Sequence, residues 1–428
     1  MGKQDTIASV QEKAIQKTPS RRSLWFYLGP AFLVSVGYMD PGNWATSLES
    51  GSRFGYQLLW IVTLSSAIAV LMQVLSAKLG IVTGRDLAQM MRERYSPPVR
   101  RFLFVTAFAA MMATDLAEFM GVAIALNLLL GIPLTIAVLL TVFDVLLILW
   151  LERFGFRWVE RVILAFVATI GLAYVVEIFL ARPDLADVAR NAFVPNTTIF
   201  ESTTALFLAM GVLGATVMPH NLYLHSAQVK TRVRGNPEAR ERIVKMAVLD
   251  TVSALGAAWL VNGAILVMAA AVFHQNGILV TEIDQAYLTL APLLGKAAAL
   301  TFAIALLASG ISSSTTGTLA GQIVFEGFLN IRVRRLALLR LGVRLLTMAP
   351  AVIAVWLAVR PVSLLVLSQV ILSMQLPFSV IPLVRFTSDP ALMGKLVNGP
   401  LTKLLAWASA GIIVGLNVLL LIFALLGV

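Results

Sequence analysis

Long apolar stretches follow one another from about residue 25 to residue 426, with only short charged or Pro/Gly-containing turns between them. Crossing the hydrocarbon of a bilayer as a helix takes about 20 apolar residues. Lipid offers no partner to a backbone N–H or C=O, so spanning segments are confined to helices or a closed barrel. The stretches are continuous and lack the short alternating segments of a barrel strand. Helices are therefore expected, at about 25–51, 57–78, 102–129, 133–151, 159–181, 203–229, 246–273, 297–326, 336–358, 363–384 and 404–426, eleven spans in all. Composition agrees: 59% of the 428 residues are hydrophobic and 13% charged, whereas soluble domains are roughly half apolar and a quarter charged.

The net charge of +11 would suggest nucleic acid in a soluble protein. Here the positions of the cations explain it. Loops left in the cytoplasm carry the excess of Lys and Arg. With the N-terminus inside, 28 of the 33 basic residues fall on inner segments, and only Arg53, Arg182, Arg190, Lys296 and Arg360 fall outside. The expected topology is a multi-pass protein of the cell membrane, N-terminus cytoplasmic and C-terminus outside, with lipid and no nucleic acid as its surroundings. Residues 1–22 are polar and basic without an apolar core, which reads as a cytoplasmic tail and not a signal peptide. The absence of cysteine excludes disulfides and thiolate metal sites.

Two of the expected spans are broken. Asp40-Pro41-Gly42-Asn43 interrupts the first and Met218-Pro219-His220-Asn221 the sixth. Aligning Pro41 with Pro219 sets Asp40 on Met218 and Asn43 on Asn221. The first span enters from inside and the sixth from outside, so residues 23–181 and 203–386 read as two inverted five-helix repeats, with 404–428 as an eleventh, peripheral helix. Paired interrupted segments in corresponding places of two halves point to a midplane transport site. Each proline lacks an N–H and releases the carbonyl four residues back, that of Gly37 in one case and Ala215 in the other. A cation is one partner for such oxygens. Asp40 and Met218 each precede a proline and are pushed out of helical geometry.

Proline kinks also occur in membrane helices for structural reasons alone. The matched pair gains weight from its carboxylate, since a charge at the bilayer centre costs about 2.5–3.5 kcal/mol on insertion scales. Asp40 has no Lys or Arg near it in sequence, so a bound cation or a proton is its expected compensation. Oxygen ligands alone suit Mg2+ and Ca2+; a thioether such as Met218 favours softer divalent ions. The set of Asp, Asn, Met and carbonyl points to Mn2+, Fe2+, Co2+ or Cd2+.

The chain resembles the Nramp family of proton-coupled divalent metal transporters, and the likeness covers essentially its whole length. It rests on Met39-Asp40-Pro41-Gly42-Asn43 and on Gly214-Ala215-Thr216-Val217-Met218-Pro219-His220-Asn221. Thr114-Asp115-Leu116-Ala117-Glu118-Phe119, Leu307-Ala308-Ser309-Gly310 and Leu367-Ser368-Gln369 add to it. The resemblance implies an all-α polytopic fold of the LeuT-type 5+5 inverted-repeat class, with the first and sixth spans unwound. It implies that Asp40, Asn43, Met218 and the Ala215 carbonyl hold the transported ion, with the Gly37 carbonyl and Gln369 joining in some conformations. Family members often have Ala at the position of Gly37, and members that carry Mg2+ lack the methionine. The implied substrates are Mn2+, Fe2+ or another divalent transition metal, with no resident cofactor, and the implied state is monomeric.

Proton coupling needs titratable groups. Asp40 can hold a proton or a metal. His220 follows the second break, and imidazole titrates near neutrality in water. Asp115 and Glu118, three apart, share one helix face inside the third span, and intramembrane acids mark ion or proton paths. The resemblance adds Arg232 and Arg344 as their cytoplasmic partners. Asp144, Glu177 and Asp250 are read as structural or interfacial carboxylates, and His225 is open between packing and function. Three other functions compete. A LeuT-type organic-solute symporter would share the fold, but Asp40 would repel a carboxylate substrate. A passive cation channel could be lined by the broken helices. A hydrolytic enzyme would need a zinc site with about three His or carboxylate ligands, and the chain has three His in all.

Overall fold

The computed structural model describes residues 30–143, 156–232, 237–330 and 336–426. The expected N-terminal tail and Asp144 lie outside the described residues, as does the side chain of Arg232. In the described residues the first span is three pieces: helix α1 (Pro30–Ser35), a 3-10 turn (Gly37–Met39) and helix α2 (Pro41–Phe54). Then come α3 (Leu59–Thr83), α4 (Leu87–Arg94), α5 (Pro97–Leu130), α6 (Leu134–Leu140), α7 (Phe156–Ala181) and α8 (Leu185–Phe193). The sixth span is likewise two helices, α9 (Thr203–Val217) and α10 (Pro219–Gln228). The remainder are α11 (Pro237–Val272), α12 (Ile283–Leu294), α13 (Lys296–Leu329), α14 (Leu336–Trp356), α15 (Pro361–Thr387) and α16 (Pro400–Leu426). Two single-turn helices, Thr198–Glu201 and Pro390–Met393, complete the described elements.

Seven of these stretches are long and apolar enough to cross a membrane by length and composition: α3, α5, α9 with α10, α11, α13, α15 and α16. The expected fourth span begins with α6 and is described as far as residue 143. Three helices fall between expected spans: α4, α8 and α12. α4 opens with a capping box, in which Asp86 accepts from Gln89 N–H at 2.9 Å and Gln89 accepts from Asp86 N–H at 3.1 Å. This pairing satisfies two of the donors orphaned at a helix start. The Leu87 N–H also donates to Ser226 Oγ at 3.0 Å, which docks α4 on α10.

The broken pair α9–α10 is the centre of the bundle. Its most apolar window is 94% buried, against 28% for α16. α9 lies between α15, α3 and α2, while α5 packs along α13 and α15. Trp44, fully buried on α2, sets its ring edge-on to Tyr174 of α7 at 5.0 Å and to Phe302 of α13 at 5.2 Å. α16 rests on the outside of α15, where Asn417 Nδ2 donates to the Ser373 carbonyl at 3.0 Å.

The tightest approach is between α9 and α15. A Cβ on Gly214 would stand 1.9 Å from the Gln369 carbonyl oxygen and 2.7 Å from Ser373 N. Small residues let membrane helices come this close, and backbone atoms cannot yield as a flexible side chain can. Gly171 on α7 has nothing within 4 Å of its Cβ position. Overpacking of a tight contact costs about 1–3 kcal/mol or more. Gly214→Ala should therefore lower the thermal midpoint of the purified protein clearly, and Gly171→Ala should leave it nearly unchanged.

Candidate functional site

Proline at the first position of α2 and of α10 fixes each break in the same way. Pro is tolerated at a helix start, where its missing N–H would be unpaired anyway. Asp40 is extended, with φ −65° and ψ 160°, and becomes the N-cap of α2. Its Oδ1 accepts from the Asn43 N–H at 3.0 Å and its Oδ2 from the Gly42 N–H at 3.2 Å. A helix N-terminus favours an anion through its free N–H groups and its dipole. The structure thus supplies a compensation for Asp40 that the sequence reading missed, although Asp followed by Pro is the signal that announces it. Met218 takes φ +46° and ψ 95°. A side chain rarely adopts this left-handed region, and such strain collects at functional sites.

The two breaks meet. Asn43 Nδ2 lies 2.7 Å from the Ala215 carbonyl oxygen, 2.9 Å from the Tyr38 carbonyl oxygen and 3.2 Å from Asp40 Oδ1. An amide nitrogen carries two hydrogens, so three oxygens converge on a donor that serves two. Gln369 of α15 closes one side, its Nε2 donating to Asp40 Oδ2 at 3.3 Å and to Ser368 Oγ at 3.0 Å. Its Oε1 is buried without a hydrogen-bond partner, and so are Asn221 Oδ1 and Thr216 Oγ1. Asp40, Asn43, Ala215, Met218 and Gln369 are all at most 1% exposed. The centre is a buried place with more acceptors than donors.

Three expectations change in detail. The Gly37 carbonyl is not left bare by Pro41: the 3-10 turn gives it the Asp40 N–H at 3.2 Å. The Ala215 carbonyl is met by the Asn43 amide across the site, not by its own helix. The Met218 sulfur accepts from Asn221 Nδ2 at 3.3 Å, on the side of Gly37. A Cβ on Gly37 would stand 2.6 Å from that same Nδ2. Glycine at this position is what lets Asn221 hold the sulfur in the present arrangement.

A second polar centre lies next to the first. His220 Nδ1 is 3.1 Å from Thr114 Oγ1 of α5. One residue further, Asp115 forms an ion pair with Arg344 of α14, and Arg344 Nη1 also reaches Glu118 Oε2 at 2.9 Å. Ser314 Oγ accepts from Arg344, and Thr347 Oγ1 donates to Asp115 Oδ2. The guanidinium carbon stands 4.1 Å over the Phe119 ring, a cation–π contact. The structure therefore brings Asp115, Glu118 and Arg344 together, with His220 bonded to Thr114, the residue before Asp115.

Of the carboxylates set aside on sequence, Asp250 accepts the Ala31 N–H at 2.9 Å and so anchors the start of α1. Glu177 is fully buried on α7, and neither oxygen has a hydrogen-bond partner among the described residues. His225 Nδ1 lies 2.9 Å from Gln73 Oε1, and Gln73 Nε2 donates to the Tyr38 hydroxyl at 2.8 Å. Sequence reading passed over Gln73, Tyr38, Ser314 and Thr347, and gave Thr114 no role of its own within its motif. They are uncharged, and nothing in their local pattern marks them; only the fold gathers them. Among the described residues no three His, Asp or Glu side chains form a ligand cluster.

Breaking a buried ion cluster by removing one partner costs about 3–5 kcal/mol. Arg344→Gln should accordingly produce a large fall in the thermal midpoint in detergent. Arg360→Gln, which disrupts the exposed Arg360–Glu282 pair, should change it little, since surface pairs contribute about 0–1 kcal/mol.

Comparison with known proteins places this geometry. Residues 31–423 match the Nramp family, described as natural resistance-associated macrophage protein-like. The chain is 51% identical over 411 residues to the divalent metal cation transporter MntH of Bradyrhizobium diazoefficiens, covering 95% of this chain and 91% of that protein. It is 51% identical over 410 residues to divalent metal cation transporter MntH 1 of Pseudomonas aeruginosa, covering 94% and 92%. A crystal structure of the Eremococcus coleocola manganese transporter superposes with a TM-score of 0.85 at 37% identity, over 94% of this chain and 88% of the other. The amino-acid-bound structure of MhsT shares the fold at 15% identity, with a TM-score of 0.63 over 92% and 97%. The fold is thus the all-helical LeuT-type class expected from the sequence, and the chain belongs to the Nramp family.

Proposed function

We propose that this protein imports divalent transition-metal ions, Mn2+ and Fe2+ among them, in symport with protons, by alternating access of one site between the two breaks. The observation that carries this reading is the Asn43 amide, which touches the Asp40 carboxylate and the Ala215 carbonyl at once. Relatives about half identical over nearly the whole chain are named divalent metal cation transporters, and the Eremococcus coleocola structure is of a manganese transporter. On this reading the chain is no enzyme, and it works as a monomer in the cell membrane with its N-terminus in the cytoplasm.

Asp40, Asn43, Met218 and the Ala215 carbonyl hold the ion. The amide nitrogen of Asn43 now occupies the focus of three oxygens; when a cation enters, the amide turns so that Oδ1 faces it. Asn221 releases the Met218 sulfur, and Gln369 swings its free Oε1 inward. The Gly37 carbonyl joins only when the 3-10 turn at residues 37–39 opens. A thioether contributes little to a hard ion and more to Mn2+, Fe2+ or Cd2+. Asp40 binds either a proton or the metal, which couples the two. His220, Asp115, Glu118, Arg232 and Arg344 pass protons to the cytoplasmic side, His220 and Thr114 bridging the two polar centres. An organic carboxylate substrate would meet the Asp40 charge at the break, which disfavours the organic-symporter reading.

Uptake into proteoliposomes tests this. Wild type should accumulate Mn2+, faster with an acidic exterior, and a trapped pH dye should acidify with the metal; uptake without acidification would reject symport. Asp40→Ala should abolish uptake. Met218→Ala should keep part of the Mn2+ uptake and admit Ca2+ that wild type rejects. Unchanged selectivity in that variant would count against sulfur ligation.

A further inference from the structure

On the face of the bundle that carries most of the Lys and Arg, a cavity of about 530 Å3 lies between the end of α4, the end of α15 and the start of α16. Three cations from three separate helices border it: Arg94, Arg385 and Lys403. None of them forms an ion pair with a carboxylate among the described residues. Asp389 is the one acid in the wall, and its Oδ1 is already taken by the Ala391 N–H at 2.8 Å. Tyr95 and Trp407 supply aromatic walls. Beside the cavity, Leu401 and Leu404 of α16 are 67% and 66% exposed.

An inner excess of basic residues is what topology demands, and it accounts for the number of cations here. Topology would be met equally by cations directed into water. It does not require three of them to converge on one concavity, next to aromatic rings and an exposed apolar helix face. That combination matches an amphiphile. Arginine pairs with phosphate oxygens through two parallel N–H groups, aromatic side chains favour the headgroup level, and basic pockets between membrane helices suit acidic headgroups. A free phosphate would use the cations but not the apolar face of α16.

We propose that this cavity binds an acidic phospholipid, its phosphate held by Arg94, Arg385 and Lys403 and its acyl chains laid along α16. The lipid would tie α4, α15 and α16 together at one membrane face. α16 is otherwise held mainly by α15, so it is the helix with most to gain. The site is independent of the transport reading, since it shares no residue with the broken helices.

The test uses the full chain in neutral detergent, with thermal unfolding followed after addition of cardiolipin, phosphatidylcholine or inorganic phosphate. Cardiolipin should raise the midpoint of wild type, and the other two should not. Arg94→Gln/Arg385→Gln/Lys403→Gln should lose more than half of that rise. Arg100→Gln/Arg101→Gln, which removes charge from a different cavity on the same face, should keep it. Equal loss in both variants would mean diffuse attraction and would overturn the proposal, as would equal stabilisation by phosphate alone. Should the triple variant fail to fold, wild type gives a second readout: a photoreactive phosphatidylglycerol should label the segment 401–412. Labelling spread evenly over all exposed helices would overturn the assignment.

Discussion

A backbone group at membrane depth must find its partner within the protein, because lipid provides none. Both helix breaks are built around that constraint. At the first, the Gly42 and Asn43 N–H groups go to the Asp40 carboxylate, and the Gly37 carbonyl goes to the Asp40 N–H. The Met39 carbonyl takes Trp44 Nε1 at 3.2 Å and the Ser309 hydroxyl. At the second, the Gly214 carbonyl takes the Met218 N–H and the Met218 carbonyl takes the Asn221 N–H, both at 3.1 Å. The Ala215 oxygen, which Pro219 leaves without its helical donor, is reached from across the site by the Asn43 amide. Satisfying one broken helix with a side chain from the other is what brings the two into a single centre.

The same accounting supports the proposed ion site. The Asp40, Gly42, Asn43, Met218 and Asn221 N–H groups each have an acceptor, while several oxygens nearby are short of donors. The side-chain oxygens of Gln369, Asn221 and Thr216 lack partners, and Asn43 serves three oxygens with two hydrogens. A buried unpaired acceptor costs about 1–3 kcal/mol. A cation relieves several such deficits together without rebuilding the helices. The neighbouring centre of Arg344, Asp115 and Glu118 is of another kind, with opposite charges already in contact. Two polar centres, one short of positive charge and one supplied with it, adjoin through His220 and Thr114.

Much of this was legible in the sequence because bilayer length and proline chemistry act locally. Apolar run length located the seven helices of membrane length among the described residues, and Pro41 and Pro219 located the breaks in the first and sixth spans. Of the expected ligands Asp40, Asn43, Ala215, Met218, Gly37 and Gln369, hydrogen bonds link Asp40, Asn43, Ala215 and Gln369 to one another. Local rules failed where partners come from a distance. Pro41 by itself implies a bare Gly37 carbonyl, yet a 3-10 turn repairs it. Met218 faces Asn221 because Gly37 leaves room, which no residue spacing reveals. Gln73 and Tyr38 are ordinary polar residues in sequence and acquire significance only from the helices packed against them. The interhelical segments α4, α8 and α12 were passed over because their length and polarity resemble loops, although Asp86 and Gln89 carry a readable start signal.

The contact at Gly214 has a mechanical consequence. With no room for a Cβ between Gly214 and the Gln369 carbonyl, α9 and α15 pack backbone against backbone at that level. In the proposed transport cycle Ala215 and Gln369 would then travel as one jaw. The other jaw, Asp40 with Asn43, sits on α2, pinned by the Trp44 ring to α7 and α13. In the proposed cycle, opening the centre amounts to hinging one block against the other, and the Asn43–Ala215 and Gln369–Asp40 contacts are the clasp between them.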